Sequence, residues 1–162
     1  MSNDAKRFLN LFQGFMGAHG QTEVLKSQRN GKQQAKYVIV REPLTVELVQ
    51  SHLDGALGLG SIPIDENNQC LFGALDIDDY NLDLPQIAKS IKRLKLPLTV
   101  CRSKSGGAHL YIFLREKVSA TELRDRLSEF ASALGYGQCE IFPKQEEVIV
   151  ERGDVGNFIN LP

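Results

Sequence analysis

The apolar positions of this chain change period along its length, and each change marks an element. Phe8, Leu9, Leu11, Phe12, Phe15 and Met16 recur at helical spacing over residues 4–16, with Asp4 placed as a cap. Glycines and polar residues then run to about residue 35 as loop or hairpin, and Tyr37–Val40 reads as a strand. Thr45 caps a predicted helix through Leu53, with Gly55 past its end. GLGSIPIDENNQ reads as loop or edge structure. From residue 70 the signal sharpens. CLFGALDID is a strand, and Leu84–Leu94 is a helix with Pro85 in its first turn and Ile87, Ala88, Ile91 and Leu94 on one face. Leu96–Ser103 and His109–Leu114 are strands joined by the turn SKSGGA. Ser119–Leu134 is a helix, with Ser119 and Glu122 spaced as a capping box and Gly135 at the end. Cys139–Phe142 is a strand, and VIVERG and NFINL read as further strands.

From residue 70 the order is β-α-β-β-α-β, the split arrangement of ferredoxin-like and RNA-recognition-like folds. The fold class is therefore α+β: an antiparallel RNA-recognition-like sheet with helices on one face, plus an N-terminal α/β extension. Residues 1–69 form the N-terminal helix, basic segment and lead-in, and residues 70–162 the core, within one compact domain. Right-handed crossovers put the first and third strands of the core in the centre, with the fourth beside the first and the second beside the third.

Alternation then sorts the faces. Leu71, Gly73, Leu75 and Ile77 should face the helices, with Leu98, Val100, Leu110, Ile112, Leu114, Cys139 and Ile141. The other face receives Phe72, Ala74, Asp76 and Asp78, then Thr99, Cys101 and Ser103, then His109, Tyr111 and Phe113, then Glu140 and Phe142. Because the first strand runs antiparallel to the third and fourth, its end lies beside their starts. Asp76, Asp78, His109 and Glu140 thus converge on one end of one face. Like charges that close repel. Three carboxylates suit a hard divalent ion, Mg²⁺ or Mn²⁺, better than zinc.

The turn RSKSGGAH lies at the same end. Gly106 and Gly107 permit successive N–H groups to point at an anion, Arg102 and Lys104 add positive charge, and Ser103 and Ser105 add hydroxyl donors, a set suited to a triphosphate. Beside the carboxylates, His109 reads as a phosphate or nucleotide contact. Lys144 follows Glu140 closely enough to reach the same phosphates. Asn157 reads equally as a sugar or phosphate contact and as a turn cap, and Asn160 as a turn cap.

Composition narrows the picture further. A net charge of −1 points by itself to neither nucleic acid nor membrane. Lys26, Arg29, Lys32, Lys36 and Arg41 nonetheless crowd a segment that reads equally as a solvated basic hairpin and as a phosphate-contacting patch. Cys70, Cys101 and Cys139 are far apart with no C-x-x-C, which suits free thiols in a reducing compartment. No apolar run approaches a membrane span, and MSNDAKRF lacks the apolar core of a signal peptide, so a cytoplasmic location with no membrane partner is expected.

Three motifs in order carry a family resemblance: Asp76-Ile77-Asp78, then Ser103-Lys104-Ser105-Gly106-Gly107-Ala108-His109, then Glu140 in CEIFPKQ. Together they resemble the catalytic domain of archaeo-eukaryotic primases, the primase-polymerase superfamily. Over roughly residues 45–162 the chain is most like the primase domain of TOTE conflict systems, through the lead-in His52–Asp78 and the final GNFINLP. The resemblance implies template-directed nucleotidyl transfer, with Asp76, Asp78 and Glu140 as catalytic residues holding two Mg²⁺ or Mn²⁺ ions. It implies that Ser103, Lys104 and His109 grip the nucleotide's phosphates, with Ser105 and Lys144 as further contacts. Nucleoside triphosphates and a DNA template and primer, or RNA, would be the partners, alongside a helicase or nuclease. Lys26, Arg29, Lys32, Lys36 and Arg41 would contact template phosphates. Glutamate stands at the third acid where many relatives have aspartate. Relatives commonly continue past the equivalent of Pro162, some with a zinc-binding insert or helical priming domain, so primer extension is expected before unaided priming.

Two other readings share this sheet. One is a non-catalytic RNA-recognition-like module that stacks bases on Tyr111 and Phe113. The other is a palm-type nucleotide cyclase. Tyr111, Phe113 and Phe72 read equally as a base or template support and as core packing beneath the N-terminal region.

Overall fold

The second face of the core sheet is covered by a layer built from the N-terminal segment. The computed structural model describes residues 3–29, 32–79, 81–104 and 106–162, apart from the side chains of residues 23–29 and 32–35. The elements run α1 (Asn3–Leu11), β1 (His19–Arg29), β2 (Lys32–Val40), α2 (Val46–Leu53), β3 (Gly58–Ser61), β4 (Gln69–Ile77), α3 (Leu84–Leu94), β5 (Thr99–Arg102), β6 (Ala108–Ser119), α4 (Ala120–Leu134), β7 (Glu140–Phe142), a 3₁₀ turn (Val150–Arg152) and β8 (Ile159–Asn160). The described residues form two four-stranded sheets, ordered β2-β1-β3-β8 and β5-β6-β4-β7. The second has the predicted order, and its pairings are all antiparallel.

Local chemistry sets these boundaries. The Thr45 hydroxyl accepts from the Leu48 amide, the Asp83 carboxylate from Gln86 and the Ser119 hydroxyl from Glu122. Each satisfies an amide that a helix start leaves unpaired. Asp65 organises the turn before β4: it accepts from the amides of Asn67 and Gln69 and meets Lys117 Nζ at 2.6 Å. Burial works to raise its carboxyl pKa, but Lys117 and the two amides outweigh burial and hold it below the ordinary value.

On the helix side, Leu75, Ile77, Leu110 and Ile112 pack with Ile87 and Ile91 of α3 and Leu123, Leu127 and Ala131 of α4. On the other side, Phe72, Ala74, Tyr111 and Phe142 join Phe12, Val49, Leu59 and Ile159 in a second core. Phe12 is its hub, meeting the rings of Phe72, Tyr111 and Phe113 edge-on with centroids 5.2–5.3 Å away.

Four expectations need correction. Leu71 does not face the helices. Cys70 pairs with Val118 but Phe72 with Phe113, so residues 114–117 of β6 stand opposite Leu71 alone and alternation breaks there. Cys70 enters the helix-side core instead, and Leu71 lines a cleft with Gln13, Met16, Asp65 and Lys117. GLGS is not loop or edge: β3 lies between β1 and β8. A Cβ on Gly60 would sit 2.2 Å from the Phe158 ring, so glycine serves close packing there. VIVERG forms no strand, because the Val148 amide donates to Asn68 Oδ1 and the Ile149 amide to Asp154 Oδ2 rather than to a neighbouring strand. Helix α1 also stops at Leu11, short of the expected residue 16, and Phe12 and Phe15 are buried beyond its end.

Replacing Phe12 with alanine should destabilise the fold by about 3–5 kcal/mol, since the side chain is buried among three rings. The measurement is urea unfolding, and the expected result is a lower midpoint at unchanged slope.

Candidate active site

One rung of the second sheet assembles the polar residues. Cys101 of β5 pairs with His109 of β6, His109 with Asp76 of β4, and Asp76 with Glu140 of β7. All four therefore point to the same face. The rung before it, Thr99, Tyr111, Ala74 and Phe142, lies in the direction of the second core, where all but Thr99 are buried. The polar cluster begins where that cover ends. Asp78 follows β4 on the same face, and Asp76, Asp78 and Glu140 line one cleft of about 440 Å³ with the loop Gly135–Cys139.

The electrostatics are unbalanced. The Asp78 carboxyl is held above its ordinary pKa, first by the Asp76 charge, then by burial and by Glu140, with His109 and Lys144 opposing. Asp76 Oδ1 is buried and accepts no hydrogen bond. His109 Nε2 lies 3.3 Å from it, close enough for charge interaction but outside hydrogen-bond geometry. Lys144 Nζ meets Glu140 Oε2 at 2.7 Å and sits over the Phe142 ring. Among the described residues no three acidic, histidine or cysteine side chains already stand in metal-ligating geometry. The donor chemistry nevertheless fits a hard divalent ion: all oxygen, a buried carboxylate oxygen that accepts no hydrogen bond, and a neighbouring acid whose ionisation is opposed. Asp76, Asp78 and Glu140 are the residues that could hold it.

The glycine-rich turn abuts this cluster. A Cβ on Gly107 would lie 2.2 Å from the Ile77 carbonyl, so only glycine lets the turn close against the end of β4. The Ser103 amide donates to Gly107 O at 2.9 Å, which places buried Ser103 one step beyond Cys101. Lys104 is exposed. Ser105 lies outside the described residues. The expected pair of free glycine amides needs correction, because the Gly106 amide is spent on Ser103 O at 3.1 Å.

His109 is held from behind. Its Nδ1 lies 3.0 Å from the Tyr111 hydroxyl, which donates to the backbone carbonyl of Asn160 at 2.7 Å. The sequence reading missed this contact, although the H-x-Y spacing that puts both side chains on one face was its available signal. Asn157 exchanges hydrogen bonds with Gln145.

The structure thus brings together Asp76, Asp78, Glu140, His109 and Lys144, with Ser103 and Lys104 on the adjoining turn. The basic segment lies elsewhere, on the β1–β2 hairpin and just after it. The side chains of Lys26, Arg29 and Lys32 are outside the described residues. Lys36 is exposed, and Arg41 donates to Gly153 O at 2.8 Å. Tyr111 and Phe72 are fully buried, and Phe113 packs against Phe12. Burial of Tyr111 and the packing of Phe12 on Phe113 count against the alternative of a module that stacks bases on these two rings. Among the described residues no helix is long and apolar enough to cross a membrane.

The sequence model of one family, the archaeo-eukaryotic primase domain of TOTE conflict systems, matches residues 5–162. No curated protein sequence gives a significant match. At the level of the superfamily the match supports nucleotidyl transfer, with nucleotide substrates and nucleic acid, in domains that generally use divalent metals.

Replacing Asp76 with asparagine should lower the Asp78 pKa in metal-free protein, as read by carboxyl ¹³C chemical shifts. Folding raises this pKa, so the group's contribution to stability is fully present below the ordinary value of 3.8 and lost as pH rises through the raised one. The variant's stability relative to the native chain should therefore improve from acid to neutral pH.

Proposed function

The chain belongs to the archaeo-eukaryotic primase family in its TOTE conflict system form, and on that premise we propose that it performs template-directed, divalent-metal-dependent nucleotidyl transfer as a DNA primase/polymerase domain. The observation that carries this reading is the rung Glu140–Asp76–His109, with a buried Asp76 oxygen that accepts no hydrogen bond, set against the glycine-rich turn.

In this reading the primer 3′-hydroxyl attacks the nucleotide's α-phosphorus. The new O–P bond forms as the bond to pyrophosphate breaks, and the hydroxyl proton leaves to solvent. Divalent ions held by Asp76, Asp78 and Glu140 would lower the pKa of the attacking hydroxyl and offset charge on the triphosphate and leaving group. Glu140 is paired with Lys144 at 2.7 Å, so holding an ion would require it to give up that pair, and the ammonium would then be available to a phosphate. Ser103, Lys104 and His109 grip the remaining phosphate oxygens, with Ser105 as a further contact. Positioning and charge supply the acceleration, and base pairing to the template supplies the sequence. Residues 70–162 supply the catalytic core and residues 1–69 most of its cover, which Ile159 and Leu161 complete. Lys26, Arg29, Lys32, Lys36 and Arg41 contact template phosphates, supported by the exposure of Lys36.

The test is primer extension on a primed DNA template with Mn²⁺ or Mg²⁺, beside an Asp76→Ala, Asp78→Ala double variant. The expected outcome is template-dependent extension by the native chain, reduced about a thousandfold or more in the variant. Product formed without a template would indicate a cyclase-type enzyme, and extension that survives the double substitution would move the chemistry elsewhere.

A further inference from the structure

The contact behind His109 can be assigned donor by donor. A tyrosine hydroxyl has one proton to give, whereas a backbone carbonyl can only accept. The Tyr111 hydroxyl lies 2.7 Å from Asn160 O, so its proton lies on that line. Any other placement would press two oxygen lone pairs together. The hydroxyl is then an acceptor toward His109 Nδ1, 3.0 Å away, and Nδ1 must carry a hydrogen. With Nδ1 so occupied, an Nε2 that donates to a phosphate oxygen belongs to the imidazolium, which carries a hydrogen on both nitrogens, whereas a neutral ring would turn an Nε2 lone pair toward the Asp76 carboxylate. Tyr111 is fully buried and His109 nearly so, which leaves no solvent to substitute for either partner. Burial also pushes the phenol pKa up, with Cys101 and Asp76 adding to the shift, so the phenol keeps its proton.

The consequence concerns ring orientation. Turning the imidazole over about its last side-chain torsion exchanges Nδ1 with a carbon, and that torsion has two broad wells. Only one of them gives the Tyr111 hydroxyl its donor. In that orientation Nε2 faces Asp76 Oδ1 at 3.3 Å, at the edge of the candidate site. We propose that Tyr111, itself held by the Asn160 carbonyl, is a positioning residue that locks the His109 ring with Nδ1 turned inward and Nε2 presented to the site. The functional half of this inference rests on the reading of His109 as a nucleotide phosphate contact.

The lock has a structural source. Asn160 lies on β8, an edge strand of the N-terminal sheet. The ladder bond beside it runs from the Leu161 amide to Leu59 O, and the Asn160 carbonyl goes instead to the second sheet through Tyr111. The covering layer therefore reaches the site's histidine through two consecutive hydrogen bonds.

Tyr111→Phe removes the hydroxyl and keeps the ring that packs between Phe12 and Phe113. Two readouts separate positioning from mere packing. The first is the ¹H–¹⁵N signal of the His109 imidazole. The native chain should show a slowly exchanging Nδ1–H, and the variant should lose it. The second is steady-state extension kinetics: the nucleotide KM should rise about five- to tenfold, the equivalent of one lost hydrogen bond, with kcat changed less than about threefold. A native His109 with no proton on Nδ1 overturns the lock without any variant being made. So does a Tyr111→Phe chain whose imidazole signal and KM match the native ones. His109→Ala separates the two levels. If its KM is unchanged, the reading of His109 as a phosphate contact fails, while the Nδ1–H signal still decides the lock.

Discussion

The apolar second face of the β5-β6-β4-β7 sheet is the constraint on which the structure depends. Helices α3 and α4 cover only one side, yet Phe72, Ala74, Tyr111 and Phe142 on the other side are also buried. Left in water, those side chains would forfeit about 1.5–3 kcal/mol for each large one. The N-terminal residues meet this demand with Phe12, Val49 and Leu59, and the end of the chain with Ile159 and Leu161. Chain ends far apart in sequence thus share one core. The polar rung lies one step past that cover, so the layer both stabilises the sheet and sets the border of the site.

That border holds an electrostatic arrangement that works against the fold. Asp78 resists ionisation because Asp76 is near, and one Asp76 oxygen is buried without a hydrogen bond. Leaving a buried acceptor unsatisfied costs roughly 1–3 kcal/mol. The surrounding ladder over-determines the geometry: Asp76 is paired on both sides, to His109 and to Glu140, and the turn is pinned against Ile77 by Gly107. A regular sheet can hold like charges together in this way, whereas a mobile loop would let them part. A divalent ion would reverse the sign of the interaction, turning a local cost into binding energy.

Much of this was legible in the sequence, for definable reasons. Period-two alternation in CLFGALDID and HLYIFL placed Asp76 and His109 on one face. The split β-α-β-β-α-β order then made Asp76, His109 and Glu140 neighbours, as the pairing register shows. Cap chemistry located α3 and α4 to within a residue. What failed depended on partners from distant segments. Alternation broke at Leu71, where β6 carries extra residues against one position of β4. Gly58 and Gly60 looked like loop residues, since nothing local shows that Phe158 will lie against one of them. VIVERG had strand-forming side chains, but its amides were claimed by Asn68 and Asp154. The weighing of Phe72, Tyr111 and Phe113 between an exposed platform and a covered core turned on Phe12, some sixty residues or more away in the chain.

Tyr111 shows why the two cores cannot be separated from the chemistry. Its ring belongs to the covered face, where it packs with Phe12 and Phe113, and its hydroxyl bridges β8 to His109. A phenylalanine would meet the packing demand equally well, but a buried hydroxyl needs partners for both its proton and its lone pairs. Here one partner is an edge-strand carbonyl and the other is the histidine beside Asp76. The position therefore satisfies a stability requirement and an orientation requirement with one side chain. Tyr111 can do both because it stands at the step between the covered rung and the polar rung, with the packed layer against its ring and the histidine beside Asp76 at its hydroxyl.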